Sequence, residues 1–250
     1  MSSPIVSHPS PWVRVAVTVT DFSAPHAVGH RFVRDRVLRE MASSAVHRLR
    51  GAHALPPADP VKRWDVLNVL ELSQFLSNRD AAILDCGAYN SESLWELAHR
   101  GFTNLYGIDL NPHIVAAPWS RRICYSLQDM QHTAFADSTF DYVISVSAVE
   151  HGVSWQTFLR EVHRLLKPGG LLYVSTDLVH EGTGTTGLTA FGLSWNPLRP
   201  TDVPGISTLL SSMGFESAPP ISLQLPKELP LEFLGRQVGF IGFCGVKRVA

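Results

Sequence analysis

The sequence is short of charge. Asp, Glu, Lys and Arg make up 17% of its 250 residues and nearly cancel, to a net charge of −1. A general nucleic-acid binder needs a basic excess to meet the phosphates, so that class is disfavoured. No apolar run approaches the length that crosses a membrane, so no membrane span is expected. Met1-Ser2-Ser3-Pro4-Ile5 has no basic stretch followed by an apolar one, so a secretory signal is not expected either. Cysteine is scarce. Cys86, Cys124 and Cys244 are odd in number and far apart, form no zinc or disulfide pattern, and are expected in or beside buried strands of a reduced, cytoplasmic protein. None of the 11 histidines pairs with another at metal-ligand spacing with a third partner, so no metal site is expected. No internal repeat is present.

The apolar content is 45%, enough for one α/β domain with its own core and an appendage. Residues 1–80 read as the appendage, a strand and helices forming a cap or lid. Val13 to Val19 alternates like one strand. A helix over about 27–50 keeps Val28, Phe32, Leu38, Met41, Ala45 and Leu49 at helical spacing. A stiff connector, Leu55 to Pro60, leads to a second helix over about 61–76, with Trp64, Val66, Leu67, Val69, Leu70, Leu72 and Phe75 on a broad apolar face.

From residue 81 to 250 strands and helices alternate, which predicts a parallel sheet with right-handed crossovers. Strands are expected near 81–86, 104–109, 122–126, 140–147 and 170–176. The helix at 153–167 is the clearest, with Trp155, Phe158, Leu159, Val162, Leu165 and Leu166 repeating at three and four. Lys167-Pro168-Gly169-Gly170 stops it. Residues 178–200 read as a long loop, followed by a helix over about 201–213. Strands near 220–225 and 237–246 are expected to close the sheet as an antiparallel hairpin.

Glycine is also missing where it matters most. The first strand ends in Asp85-Cys86-Gly87-Ala88-Tyr89-Asn90-Ser91, a tight turn with one glycine. Asp109 ends the next strand in Tyr106-Gly107-Ile108-Asp109. Phe140 to His151 and then Glu161 to Gly170 form a strand and a post-helix signature. These stretches together resemble the class I S-adenosylmethionine-dependent methyltransferases, of the methyltransferase type 11 kind, with a degenerate first glycine motif. The resemblance covers about 170 residues, and Lys62-Arg63-Trp64 resembles the lead-in helix of a bacterial subset. It implies an α/β, Rossmann-like, doubly wound seven-stranded sheet, mostly parallel, with a C-terminal antiparallel hairpin and an N-terminal helical cap.

The resemblance also implies a cofactor, S-adenosylmethionine, leaving S-adenosylhomocysteine as product. Such a ligand binds at the carboxyl ends of the strands, where strand order reverses. Asp85, Gly87, Tyr89, Asp109, Leu110, Asp129, Met130 and Ser147 are the implied cofactor-binding residues. Gly87 allows the tight turn, and the helix after it aims free N–H groups at the site. Asp109 would take the ribose hydroxyls, Asp129 the adenine amino group, and Met130 would pack on the ring. Asp109 as a helix cap and Asp129 as an ordinary loop acid are the plainer alternatives. Candidate bases are His151, then Glu150, then His180 or Glu181 after the fifth strand of the domain. The acceptor is expected to be a small molecule. An anionic one is compatible with Arg31, Arg34, Arg36, Arg39, Arg48 and Arg50, although a solvated helix face explains these as well. Nucleic acid and membrane partners are not expected, and oligomer formation stays open.

Tyr89 stands where the family places glycine. It either lines the cofactor pocket or fills it. The second possibility defines the rival reading, a catalytically silent methyltransferase-like binding or partner protein. A nicotinamide dehydrogenase is more distant, because the turn lacks the glycine spacing for a pyrophosphate.

Overall fold

The computed structural model describes residues 9–16, 62–89, 91–116 and 122–249. The expected 27–50 helix with its arginines, and Asn90, lie outside the described residues. The elements in chain order are β1 (Val13–Ala16), α1 (Arg63–Leu72), β2 (Ile83–Cys86), α2 (Glu92–His99), β3 (Leu105–Asp109), β4 (Ile123–Leu127), β5 (Phe140–Val146), α3 (Trp155–Leu165), β6 (Leu166–Leu178), β7 (Thr189–Ala190), β8 (Leu193–Ser194), α4 (Val203–Ser212), β9 (Phe215–Ser217), β10 (Leu231–Phe233) and β11 (Arg236–Lys247).

The main sheet runs β1-β11-β6-β5-β2-β3-β4, with β9 and β10 also paired to β11. β4, β3, β2, β5 and β6 are parallel, and β11 returns antiparallel beside β6. The chain moves outward from β2 to β3 and β4, then crosses back to β5. Strand order therefore reverses between β2 and β5, which opens a crevice at their carboxyl ends. This is a doubly wound, Rossmann-like fold, a mostly parallel sheet with a C-terminal antiparallel hairpin.

Alternation along the strands explains why both faces are covered. In β2 and β6, Leu84, Cys86, Leu172 and Val174 join the core under α3 and α4, while Ile83, Leu171 and Tyr173 join the core under α1 and α2. α3 lays Phe158, Leu159, Val162 and Leu165 on the sheet, and the Ser154 hydroxyl caps it by accepting from the Thr157 N–H. Of the segment expected as a cap or lid, β1 stands in the main sheet on β11, and α1 packs on a sheet face. No helix among the described residues is long and apolar enough to cross a membrane.

Several local expectations differ from the structure. The 220–225 stretch is not a strand. Ile221, Leu223 and Leu225 alternate inward against the core, but Pro219, Pro220 and Pro226 interrupt the N–H donors a ladder needs. β11 instead pairs with β9 and, across the Leu234-Gly235 turn, with β10. Both turn residues have positive φ, as a two-residue hairpin of this hand requires. The 178–200 loop contains the β7–β8 hairpin, turned at Phe191-Gly192. Cys86 and Cys244 are buried, but Cys124 is exposed, because β4 is the last strand of the parallel array. His99 and His132 are exposed, whereas His163 is half-buried with its ring edge-on to Phe215.

Candidate active site

The turn after β2 is built by three short contacts. The N–H groups of Gly87 and Ala88 both donate to the carbonyl of Ile108, each at 2.9 Å. Gly87 has φ +85°, and a Cβ added there would lie 2.4 Å from the Cβ of Ala148. Any other residue would clash and be strained. This contact holds the end of β2 directly against the segment after β5. Met130 reaches the same place, its Cε 3.6 Å from that Cβ position.

Asp109 faces the turn from the end of β3. Its Oδ2 accepts the Tyr89 N–H at 3.0 Å, and its Oδ1 accepts the Asn111 N–H at 2.7 Å. Each oxygen keeps lone-pair capacity for a further donor. Tyr89 is half-buried, and its side chain packs against the core under α1 and α2. Ser91 joins two jobs: its hydroxyl donates to Asp85, and the same oxygen caps α2 by accepting the Ser93 N–H at 3.2 Å. Asp129 Oδ1 closes its own turn on the Gln131 N–H at 2.8 Å, and Leu110 is 55% exposed beside Asp109. The structure thus gathers Gly87, Met130 and Ala148 into one apolar floor and sets Asp109 beside it. Such a floor with a half-buried acid at its rim fits a nucleoside bearing a methionine tail.

The β5 and β6 ends form the other wall. Ser147 takes φ +46°, unusual for a side-chain-bearing residue, and accepts a hydrogen bond from Lys62 Nζ. Glu150 is buried. Its Oε2 accepts from Thr176 at 3.1 Å, and its backbone carbonyl accepts the Asn196 N–H at 2.7 Å. His151 bridges to Trp195 and meets Phe191 edge-on, with ring centroids 5.3 Å apart. Trp195 is tied down in turn, its indole N–H donating to Asp177 at 2.8 Å. Through these contacts the β7–β8 hairpin is stapled over the strand ends. His180 follows β6, and its Nε2 is buried without a hydrogen-bond partner among the described residues, as is His151 Nδ1.

Burial decides the protonation of these groups. It pushes Asp85 up to about 7, against the Ser91 hydrogen bond and helped by the Asp109 charge. It also raises Glu150 and Asp177, which repel one another, although Lys62 pulls both back. His151 shifts the other way, lowered by burial and by Lys62, so its imidazole is neutral at pH 7. The sequence reading brought out Glu150 and His151 but missed Lys62, Asp65, Thr176 and Asp177 as members of this wall. The Ser175-Thr176-Asp177 strand end was a visible signal for part of it.

Two outcomes follow. Gly87→Ala should destabilise the fold by about 2–4 kcal/mol, from φ strain plus overpacking. Adding Ala148→Gly should restore the packing share and leave roughly 1 kcal/mol of backbone strain. Urea unfolding of the single and double variants reads this, and no recovery in the double variant would contradict the contact. The second outcome concerns pH. Unfolded, Asp85 releases its proton near 3.8, whereas folded it keeps it to about 7. The folded chain binds the extra proton between these values. This contribution to stability is therefore full below the lower value and lost as pH rises through 7. Unfolding free energies of Asp85→Asn should accordingly fall less steeply with pH over this window than those of the wild type. Parallel curves would be the contrary result.

Comparison with known proteins agrees with this geometry. A family model described as a methyltransferase domain matches residues 84–174. Demethylmenaquinone methyltransferase of Mycobacterium marinum is 33% identical over 125 residues, 45% of this chain and 54% of that protein. The chain spans less than two thirds of the curated relatives it matches first. An S-adenosylmethionine-dependent methyltransferase from Methanosarcina mazei superposes with a TM-score of 0.52 at 21% identity, over 69% of this chain and 95% of that one. The Haemonchus contortus phosphoethanolamine N-methyltransferase 2, solved in complex with S-adenosyl-L-methionine, gives 0.53 at 18% identity, over 74% of this chain and 52% of that one. Residues 84–174 thus match a methyltransferase domain, and the chain shares the Rossmann-like fold of the Methanosarcina mazei methyltransferase.

Proposed function

We propose that this protein transfers a methyl group from S-adenosylmethionine to an oxygen or nitrogen atom of a small-molecule acceptor. The observation that carries the reading is the crevice at the β2–β5 reversal, where the Gly87 turn, Met130 and Ala148 form a floor beside Asp109. The cofactor, when bound, supplies a methyl group made electrophilic by its sulfonium. In this reading Asp109 accepts from the ribose hydroxyls with its remaining lone pairs. Asp129 accepts from the adenine amino group, with Met130 and Leu110 against the ring. Gly87, with Asp85 beneath it, shapes the turn under the methionine portion. Tyr89 and Ser147 line the two sides.

Methyl transfer depends more on alignment than on acid–base chemistry. A hydroxyl acceptor still gives up a proton. His151 suits that task best, with a neutral ring and a buried Nδ1 that none of the described residues engages. Glu150 is a weaker candidate, because burial makes it hold its own proton. His180 offers an unengaged Nε2 and stands in reserve. The rival reading, a silent methyltransferase-like partner protein, has one observation in its favour: the half-buried ring of Tyr89 at a position the family gives to glycine. Against it, the Tyr89 side chain packs on the α1–α2 core, while Met130 packs on the core of the other face.

Calorimetric titration with S-adenosylhomocysteine separates the two. The wild type should bind it, Asp109→Ala should weaken binding by about tenfold or more, and Tyr89→Gly should change it only a few-fold. His151→Asn should bind like the wild type. A wild type that does not bind, with binding gained in Tyr89→Gly, would establish the silent reading in place of the enzyme.

A further inference from the structure

A polar seam runs between α1 and β6, inside the wall that the proposed acceptor must face. Lys62, Asp65 and Asn68 recur at three-residue spacing along one side of α1, and Tyr173, Ser175 and Asp177 alternate along one side of β6. The two rows meet. Tyr173 donates to Asp65 Oδ1 at 2.9 Å, and Asn68 Nδ2 lies 3.4 Å from the same hydroxyl. Lys62 reaches over the Phe240 ring, 4.4 Å from its centroid, to Ser147. It acts electrostatically on Asp65, Glu150, Asp177 and His151 alike, and so sits among them.

The seam is not fully satisfied. Asp65, Ser175 and Glu150 are each at most 1% exposed. Yet Asp65 Oδ2, Ser175 Oγ and Glu150 Oε1 are buried atoms without a hydrogen-bond partner among the described residues. Ser175 lies beside Asp65 and eases its charge, but the pair does not reach hydrogen-bond geometry. Buried polar atoms left open in this way cost stability, and they mark a place where something else supplies the missing bonds. A metal ion is not indicated, since the described His, Cys, Asp and Glu side chains form no ligand group.

The composition of the seam selects among the chemistries that could complete it. A cationic amine brings donors only and meets the Lys62 ammonium. A carboxylate or phosphate brings acceptors only and meets three acids. A hydroxyl both accepts from Lys62 and donates to a carboxyl or serine oxygen. Resting on the methyltransferase reading above, we propose that the acceptor is a neutral polyhydroxy compound, and that Lys62, Asp65, Ser175 and Glu150 read its hydroxyl groups beside Ser147. Lys62 is the link between the two halves of the crevice, because its ammonium touches the Ser147 edge of the cofactor site and faces the acidic seam.

Glucose, glucosamine and glucuronate share one ring and differ in charge, so they make the test. Saturation-transfer NMR on the full chain, saturated with S-adenosylhomocysteine, should show glucose binding at least about fivefold more tightly than either charged sugar. Ser175→Ala and Asp65→Asn, neither of which touches the cofactor edge of the crevice, should each weaken glucose by about tenfold while holding S-adenosylhomocysteine as the wild type does, which also verifies their fold. Preference for glucosamine or glucuronate, binding of none of the three, or wild-type glucose binding in both variants would overturn the proposal. A wild type that fails to bind S-adenosylhomocysteine would overturn the methyltransferase reading instead, and the same sugar series run on the chain alone would still decide the seam.

Discussion

The ends of β2 and β5 meet at a gap that only a missing side chain can provide. Gly87 stands where a Cβ would collide with Ala148, and its N–H and that of Ala88 converge on one carbonyl, that of Ile108. These contacts tie together the ends of β2 and β3 and the segment after β5, the three places that bound the crevice at the reversal of strand order. The position of Asp109 depends on the same turn, since its carboxylate is oriented by the Tyr89 N–H that follows Ala88. One glycine suffices here because one close approach is demanded. The other glycines of the family's turn are replaced by residues that find partners elsewhere: Ser91 caps α2 and engages Asp85, and Tyr89 packs into the neighbouring core.

The second wall works by electrostatics. Three buried acids stand near one lysine at the β5 and β6 ends, away from solvent that would screen them. Burial raises all three and Lys62 lowers all three, so that one ammonium acts on three acids and not on a single partner. Burial, with the same lysine beside it, also lowers His151. One half of the crevice is therefore apolar and sterically fixed, while the other is polar and tunable. A methyl donor needs its position fixed, and an acceptor needs its hydrogen-bonding groups recognised.

Much of the parallel core could be read in the sequence. The β2 to β5 strands were visible as short apolar runs, and α3 as a three-and-four repeat, because in both cases burial imposes a period on the chain. The closing strands were harder. Ile221, Leu223 and Leu225 alternate like a strand and do face the core, yet a ladder also requires N–H donors, which the flanking prolines remove. The short β7–β8 hairpin escaped notice among the Gly and Thr residues of its loop. At the site, the turn and Asp109 were legible because they lie on consecutive elements in strict order. The Lys62–Asp65–Tyr173–Asp177 seam was not, because its two rows are more than a hundred residues apart along the chain. On α1 the broad apolar face concealed it, since Asp65 and Asn68 are buried among Val66, Val69 and Leu70. A polar residue on a helix reads as solvent-facing until its partner strand is known.

The central claim is that the β2–β5 crevice, bounded by the Gly87 turn, Asp109 and the Asp129-Met130 turn, holds the nucleoside. Amide chemical-shift mapping of the isotope-labelled chain during titration with S-adenosylhomocysteine tests it most directly. The largest shifts should fall on Gly87, Ala88, Tyr89, Leu110 and Met130, with saturation at a common concentration. Shifts confined to other surfaces, or none at saturating ligand, would contradict the account.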